Sequence, residues 1–300
     1  MILALTRRAT ALLLAVGLAN AADPATGRFQ FGISESLIGK NVTQAEAVKA
    51  IRVWATEIYR QAPGFTSFEV SVPSAGEVPK RLRQGDIDGV VVTALEYRSM
   101  ATLVDSRVMV DESAPDGEEY LVLVHRDSGF KTLSDLRGRK IVFLDRPRMN
   151  LALPWMDMAL ANAKLGSPDT FFSAVSNNPK LNLTVLSVFF KTMDACVVTR
   201  RGLALMKELN PQVGVKLQAV ATSPKLVPSI LVYRKDCPAP RRRDFEHALQ
   251  LLKGAPAGQQ ALALFEGTGV VQAEISVIRP ALDLLAAHDL LRSRSGGAAK

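Results

Sequence analysis

Asp88-Gly89-Val90-Val91-Val92-Thr93 decides the fold. An acid, a glycine, three β-branched apolar residues and a hydroxyl describe a strand buried on both faces of a parallel sheet. A short helical pattern around residues 78–83 precedes it, and another starts at Ala94. Strand and helix therefore alternate, the mark of an α/β architecture. Met193-Asp194-Ala195-Cys196-Val197-Val198-Thr199 follows the same pattern as Ile87 to Thr93, with helix expected from Arg200. Two readings of this echo stand together. Buried parallel strands often look alike, or the chain holds two similar halves. In the second reading, each half sends a strand and a Thr-capped helix start toward a common cleft. Open α/β sheets bind ligands at the carboxyl ends of their strands, and helix N-termini favour anions.

Working outward, Phe29, Phe31 and Ile33 alternate with Gln30, Gly32 and Ser34 and predict a strand. Thr43-Gln44-Ala45-Glu46 reads as a capping box opening a helix that ends near Gln61, before Pro63-Gly64. Strands are expected at Phe68 to Val72, Val104 to Asp111, Tyr120 to His125, Lys140 to Leu144 and Pro228 to Tyr233. Thr132 to Asp135 reads as a second capping box, and Leu151 to Leu165 as a helix stopped by Gly166. Helical stretches at Pro240 to Lys253, Ala257 to Glu266 and Arg279 to Leu290 are expected to pack back on the first domain.

A chain of 300 residues implies about two domains. Two cysteines exclude a disulfide-stapled scaffold and a four-cysteine zinc module; Cys196 and Cys237 read as free buried thiols or, alternatively, as one disulfide pair. His125, His247 and His288 are scattered, so no metal site or cofactor is expected. Aromatic content of 6%, with no basic stretch interleaved with aromatics, speaks against single-stranded nucleic acid. The net charge of +8 still needs an explanation. Arg7 and Arg8, the apolar run Ala9 to Leu18 and the small-x-small sequence Ala19-Asn20-Ala21 make a secretory signal peptide over residues 1–21. No cysteine sits at the cleavage site, so a soluble, unlipidated periplasmic protein is expected. Cleavage takes two arginines, and the segment 292–300, read as a flexible tail, holds three more positive charges. The folded body is then only mildly basic, which points to a small anion rather than to nucleic acid.

Phe31-Gly32-Ile33-Ser34-Glu35-Ser36, Gly85-Asp86-Ile87-Asp88 and Leu133-Ser134-Asp135-Leu136-Arg137-Gly138-Arg139-Lys140-Ile141-Val142-Phe143 lie in this order. So arranged, they resemble the phosphate/phosphite/phosphonate-type substrate-binding proteins of ABC transporters. Phe171-Phe172, Met193-Asp194-Ala195 and Ser223 through Pro228 continue the likeness. The resemblance implies a two-lobed periplasmic-binding-protein fold of type II. Each lobe would be a mainly parallel sheet flanked by helices, joined by hinge strands at Tyr120 to Arg126 and Val227 to Arg234. One lobe would then hold 22–123 and 232–291, and the other 124–231. The likeness stops at the pocket. Where the family has a Ser/Thr-rich turn, this chain has Asp145-Arg146-Pro147-Arg148-Met149-Asn150. Where the family often has a His, it has Ser176-Asn177-Asn178-Pro179-Lys180. Phosphonate specificity is therefore not implied.

The candidate ligand-binding residues follow from strand ends and helix starts. Arg146 and Arg148 either clamp an anion in bidentate fashion or sit in a solvated loop. Arg200 and Arg201, at a helix start where the dipole disfavours cations, either bind an anion or are simply exposed. Thr93 and Thr199 are N-caps or ligand contacts. Ser34 and Glu35 end the first strand. Asn150 lies in the arginine turn, and Asn177 and Asn178 are donors or a plain turn. No catalytic motif is visible: there is no Gly-x-Ser-x-Gly, no His-Glu-x-x-His and no P-loop. The expectation is a monomeric solute-binding protein for an ABC permease, closing on a small anion. The alternative is a module presenting its closed form to a membrane sensor. An enzyme on the same fold comes last.

Overall fold

The computed structural model describes residues 27–38, 44–61, 65–256, 258–259, 262 and 267–297. The expected signal peptide, Thr43 of the first capping box and most of the expected helix Ala257 to Glu266 lie outside these residues. In chain order the first lobe runs β1 (Arg28–Ile33), α1 (Gln44–Gln61), β2 (Ser67–Ser71), α2 (Val78–Gln84), β3 (Gly89–Thr93), α3 (Ala94–Tyr97) and β4 (Val104–Asp111). The second lobe holds β5 (Tyr120–His125), β6 (Lys140–Leu144), α4 (Ala152–Asn162), α5 (Pro168–Phe171), β7 (Ala174–Asn178), α6 (Leu181–Phe189), β8 (Ala195–Thr199), α7 (Arg200–Leu209), α8 (Pro211–Lys216) and β9 (Leu217–Thr222). The chain then returns through β10 (Ser229–Arg234), α9 (Ala239–Lys253), β11 (Val270–Glu274) and α10 (Arg279–Gly297).

Two sheets result, with orders β11-β4-β10-β3-β1-β2 and β7-β6-β8-β5-β9. Each is mixed rather than mainly parallel. β1 pairs parallel with β2 and β3, and β6 with β7 and β8. The strands flanking the crossings run the other way: β10 lies antiparallel on β3 and β4, and β5 on β8 and β9. The buried runs behave as their composition requires. Val90 and Val92, and all of Ala195 to Val198, are at or near zero exposure. Each strand sits in the middle of its sheet and is covered on both faces.

The crossings lie elsewhere than expected. β5 belongs wholly to the second sheet and β10 wholly to the first. The connections are therefore residues 112–119 and 223–228. They touch through an antiparallel bridge, with the Glu118 N–H donating to the Leu226 carbonyl at 2.8 Å and the reverse bond at 2.9 Å. Gly117 has φ +110°, and a Cβ there would lie 2.5 Å from the Leu226 backbone. Only glycine allows that approach. Two expectations for the C-terminus are also corrected. Arg292 to Gly297 continue α10 instead of fraying. Of the late helices, α9 packs on α1 in the first lobe, but α10 packs mainly on α4 of the second.

Candidate functional site

The carboxyl ends of β1, β3, β6 and β8 lead to the junction between the sheets. In register, Thr93 at the end of β3 opposes Ser229, and Thr199 at the end of β8 opposes Tyr120. Ser229 and Tyr120 are the first residues after the two crossings. The 3₁₀ turn Glu35–Leu37 after β1 contacts the 3₁₀ turn Pro147–Met149 after β6. This junction is the candidate ligand seam.

On the first lobe, the expected residues Ser34 and Thr93 come together on a third side chain, Glu96. Thr93 caps α3, and its Oγ accepts the Glu96 N–H at 3.2 Å. The Glu96 carboxylate in return accepts the Thr93 N–H at 2.8 Å and hydroxyl at 2.9 Å. Its other oxygen accepts the Ser34 hydroxyl at 2.5 Å. All three side chains are buried. A buried carboxylate with three donors is stable there, and it takes up the hydroxyls of Ser34 and Thr93. Glu35 is exposed beside this knot, its N–H on the Pro73 carbonyl at 3.0 Å.

On the second lobe, Arg148 turns toward the first crossing. Its guanidinium contacts Asp111 closely and Glu118 at 2.9 Å, with only 13% of the Arg148 side chain exposed. Arg201 of α7 reaches the same two acids, Glu118 at 3.1 Å and Asp111 at 3.4 Å, and donates to the Ser113 hydroxyl at 2.6 Å. Two arginines of one lobe thus hold one acid at the end of β4 and one on the crossing. Burial alone would raise the Asp111 pKa, but the charge of Arg148 and the hydrogen bonds from Ser113 outweigh it and hold it below the ordinary value. Arg200 pairs with Glu119, and its backbone N–H donates to the Glu119 carbonyl at 2.8 Å. Thr199 caps α7, its Oγ accepting the Gly202 N–H at 2.9 Å.

The remaining expected residues divide. Asn150 lies in the seam. Its Nδ2 donates to the Pro228 carbonyl at 3.2 Å, the same oxygen that accepts the Ala94 N–H. Its Oδ1 is buried without a hydrogen-bond partner. Arg146 Nε donates to the Pro179 carbonyl, just after β7, at 2.9 Å. Asn177 and Asn178 lie on the edge strand β7, outside the group around the crossings. Asn178 Oδ1 accepts the Lys180 N–H at 2.9 Å, which makes the turn.

Sequence reasoning missed Asp111, Glu118, Glu119 and Glu96. The first three carry no local signal, because their partners are distant in sequence. Glu96 did carry one: Thr93-Ala94-Leu95-Glu96 is a capping-box pattern. The cysteines are free and buried, and burial pushes the Cys237 thiol up to about 12. Among the described residues no cluster of His, Cys, Asp and Glu has the form of a metal site.

The family model for the periplasmic substrate-binding protein of phosphonate ABC transporters matches residues 41–277. The chain belongs to this family. It is therefore a periplasmic substrate-binding component, a class that takes small-molecule ligands, works with ABC permeases and is not enzymatic. No curated protein sequence matches it. Among solved structures, XAC2383 from Xanthomonas citri, described as bound to chloride ion, is similar with a TM-score of 0.60 at 15% identity. That alignment covers 89% of this chain and 99% of the other. PhnD1 from Prochlorococcus marinus, in complex with methylphosphonate, gives a TM-score of 0.55 at 12% identity, over 86% and 97% of the two chains. A binding protein component of an ABC phosphonate transporter from Pseudomonas aeruginosa gives 0.55 at 14%, over 88% and 87%. Identities this low show the fold alone, the two-lobed type II periplasmic binding fold.

Proposed function

We propose that the chain captures a small anion in the seam between its sheets and hands it to the permease of an ABC importer. The convergence of the carboxyl ends of β1, β3, β6 and β8 on one junction carries this reading, because open α/β sheets bind there. Hinge bending at residues 112–119 and 223–228 would open the seam, and the ligand would favour the packed form. Four arginines support the anion: Arg146, Arg148, Arg200 and Arg201 all follow the carboxyl ends of β6 and β8. Asp111, Glu118 and Glu119 already answer three of them. An incoming anion must therefore exchange with a resident carboxylate, which favours a multiply charged or bidentate oxyanion.

A second reading rests on Asn150. Its buried Oδ1 lacks a donor, and the first-lobe donors are held by Glu96. That arrangement suits a neutral, donor-rich solute. A thermal-shift series on the mature protein separates the two, because a ligand that binds only the folded state raises its melting temperature. The series uses phosphate, methylphosphonate, sulfate and acetate against urea and erythritol. The anion reading expects an oxyanion to stabilise the protein and Arg200→Gln to reduce the shift. Stabilisation by urea or erythritol alone would transfer the assignment to the second reading.

A further inference from the structure

We infer that the C-terminal helix α10 is a strap that holds the two lobes in their packed arrangement, independently of any ligand. The helix is anchored on the first lobe at its start. Ile278, the last residue before it, is fully buried in the first-lobe cluster with Val78, Leu82, Val104 and Val232. Leu282, one turn on, packs against the same cluster. The neighbouring side of the same stripe belongs to the second lobe. Ala281 and Leu285 are buried in the cluster that contains Leu121, Trp155, Met156 and Leu160, and Leu284 packs against it. With His288 these residues fall at i, i+3, i+4 and i+7, one helical side laid on α4.

Polar contacts repeat the division. His288 Nε2 lies 2.6 Å from the Asp157 carboxylate on α4, and both side chains are mostly buried (17% and 10% exposed). The next residue, Asp289, faces the other lobe and pairs with Arg98 at 2.6 Å. That pair is 39% and 53% exposed, so it contributes little. The strength of the strap lies on the α4 side, where apolar burial surrounds a desolvated pair. The peptide crossings at 112–119 and 223–228 leave the lobes free to bend. The α10–α4 contact does not, because bending must either strip Leu285 and His288 from α4 or pull Ile278 from the first lobe.

The test needs no ligand. Nitroxide labels at Arg83→Cys on α2 and Lys207→Cys on α7 are exposed, one on each lobe. Cys196 and Cys237 are buried, with thiol pKa values pushed up by burial, and do not compete for label. Double electron–electron resonance on the ligand-free protein should give one narrow distance. Leu285→Ala and His288→Ala should each add a second distance population, raising its ratio to the first by about tenfold. Asp157→Asn keeps the shape of the contact and serves if the packing variants fail to fold; it should act in the same direction. Unchanged distances in folded variants would overturn the strap. So would hydrogen exchange showing α10 released in these variants while the interlobe distance stays the same, since the helix would then be a passenger.

Discussion

Thr93 and Thr199 end strands of nearly the same sequence and begin the two helices that face the seam, yet their surroundings are opposite. At Thr93 the third helical residue is Glu96, and the cap closes into a box that also takes Ser34. At Thr199 the third residue is Gly202, which gives only its N–H, and the first two residues are arginines. One helix start is filled by an internal carboxylate, the other is flanked by cations paired with acids of the first crossing and of β4. The pattern of acid, small residue, three apolar residues and threonine specifies a buried strand and a cap. It does not specify the charge that the cap presents. Two equivalent scaffolds therefore give the seam two unlike walls, one acidic and self-satisfied, one basic and answered from the other side.

Removing the filling on the first wall should have the largest effect. Glu96→Ala leaves the Ser34 hydroxyl, the Thr93 hydroxyl and the Thr93 N–H without their acceptor, and should cost about 3 kcal/mol in urea unfolding. Loss of less than about 1 kcal/mol would mean that the box is not what holds this wall. Acid attacks the other wall next. The Asp111 pKa is lowered from its ordinary value of 3.8. Its contribution is therefore full above that value and is lost as pH falls through the depressed folded-state pKa. Asp111→Asn should flatten the acid limb of a melting-temperature profile; an unaltered limb would place the titrating group elsewhere. Thr199→Ala removes a single cap bond and should cost about 1 kcal/mol, clearly less than Glu96→Ala. The smallest change is expected for Arg200→Gln, within about 0.5 kcal/mol, because an ion pair whose arginine is exposed is set against an unfavourable helix dipole. If Thr199→Ala instead costs as much as Glu96→Ala, the walls differ less than their contacts imply.

Local patterns carried most of the fold. Val104 to Asp111, Tyr120 to His125 and Lys140 to Leu144 are strands with the expected bounds, since each is a short apolar or alternating run between clear breakers. β7 escaped detection because Ala174-Val175-Ser176-Asn177-Asn178 is an edge strand with mostly exposed residues, and no buried face imposes a pattern. β11, an edge strand of the other sheet with no buried residue, escaped for the same reason. At the candidate seam, placement along the elements was legible and partners were not. Ser34, Thr93 and Thr199 do end or follow their strands, and Arg148 does sit in the turn after β6. What Arg148 touches depends on Asp111 and Glu118, 37 and 30 residues away, and only the closed chain brings them together. The crossings implied by the family resemblance, Tyr120 to Arg126 and Val227 to Arg234, fall instead on β5 and β10, which are full members of their sheets.

The bridge between Glu118 and Leu226 also orders events in time. Lobe 2 is a single excursion of the chain that leaves and returns at that rung, so everything its sheet requires has been synthesised once β9 is complete. Lobe 1 has no such independence. β10 stands between β3 and β4, and β11 closes the far edge. The sheet that begins first therefore stays split in two until its last strands arrive. During synthesis the later lobe is the first that can be finished, and the earlier one waits with β3 unpaired on one side and β4 on both.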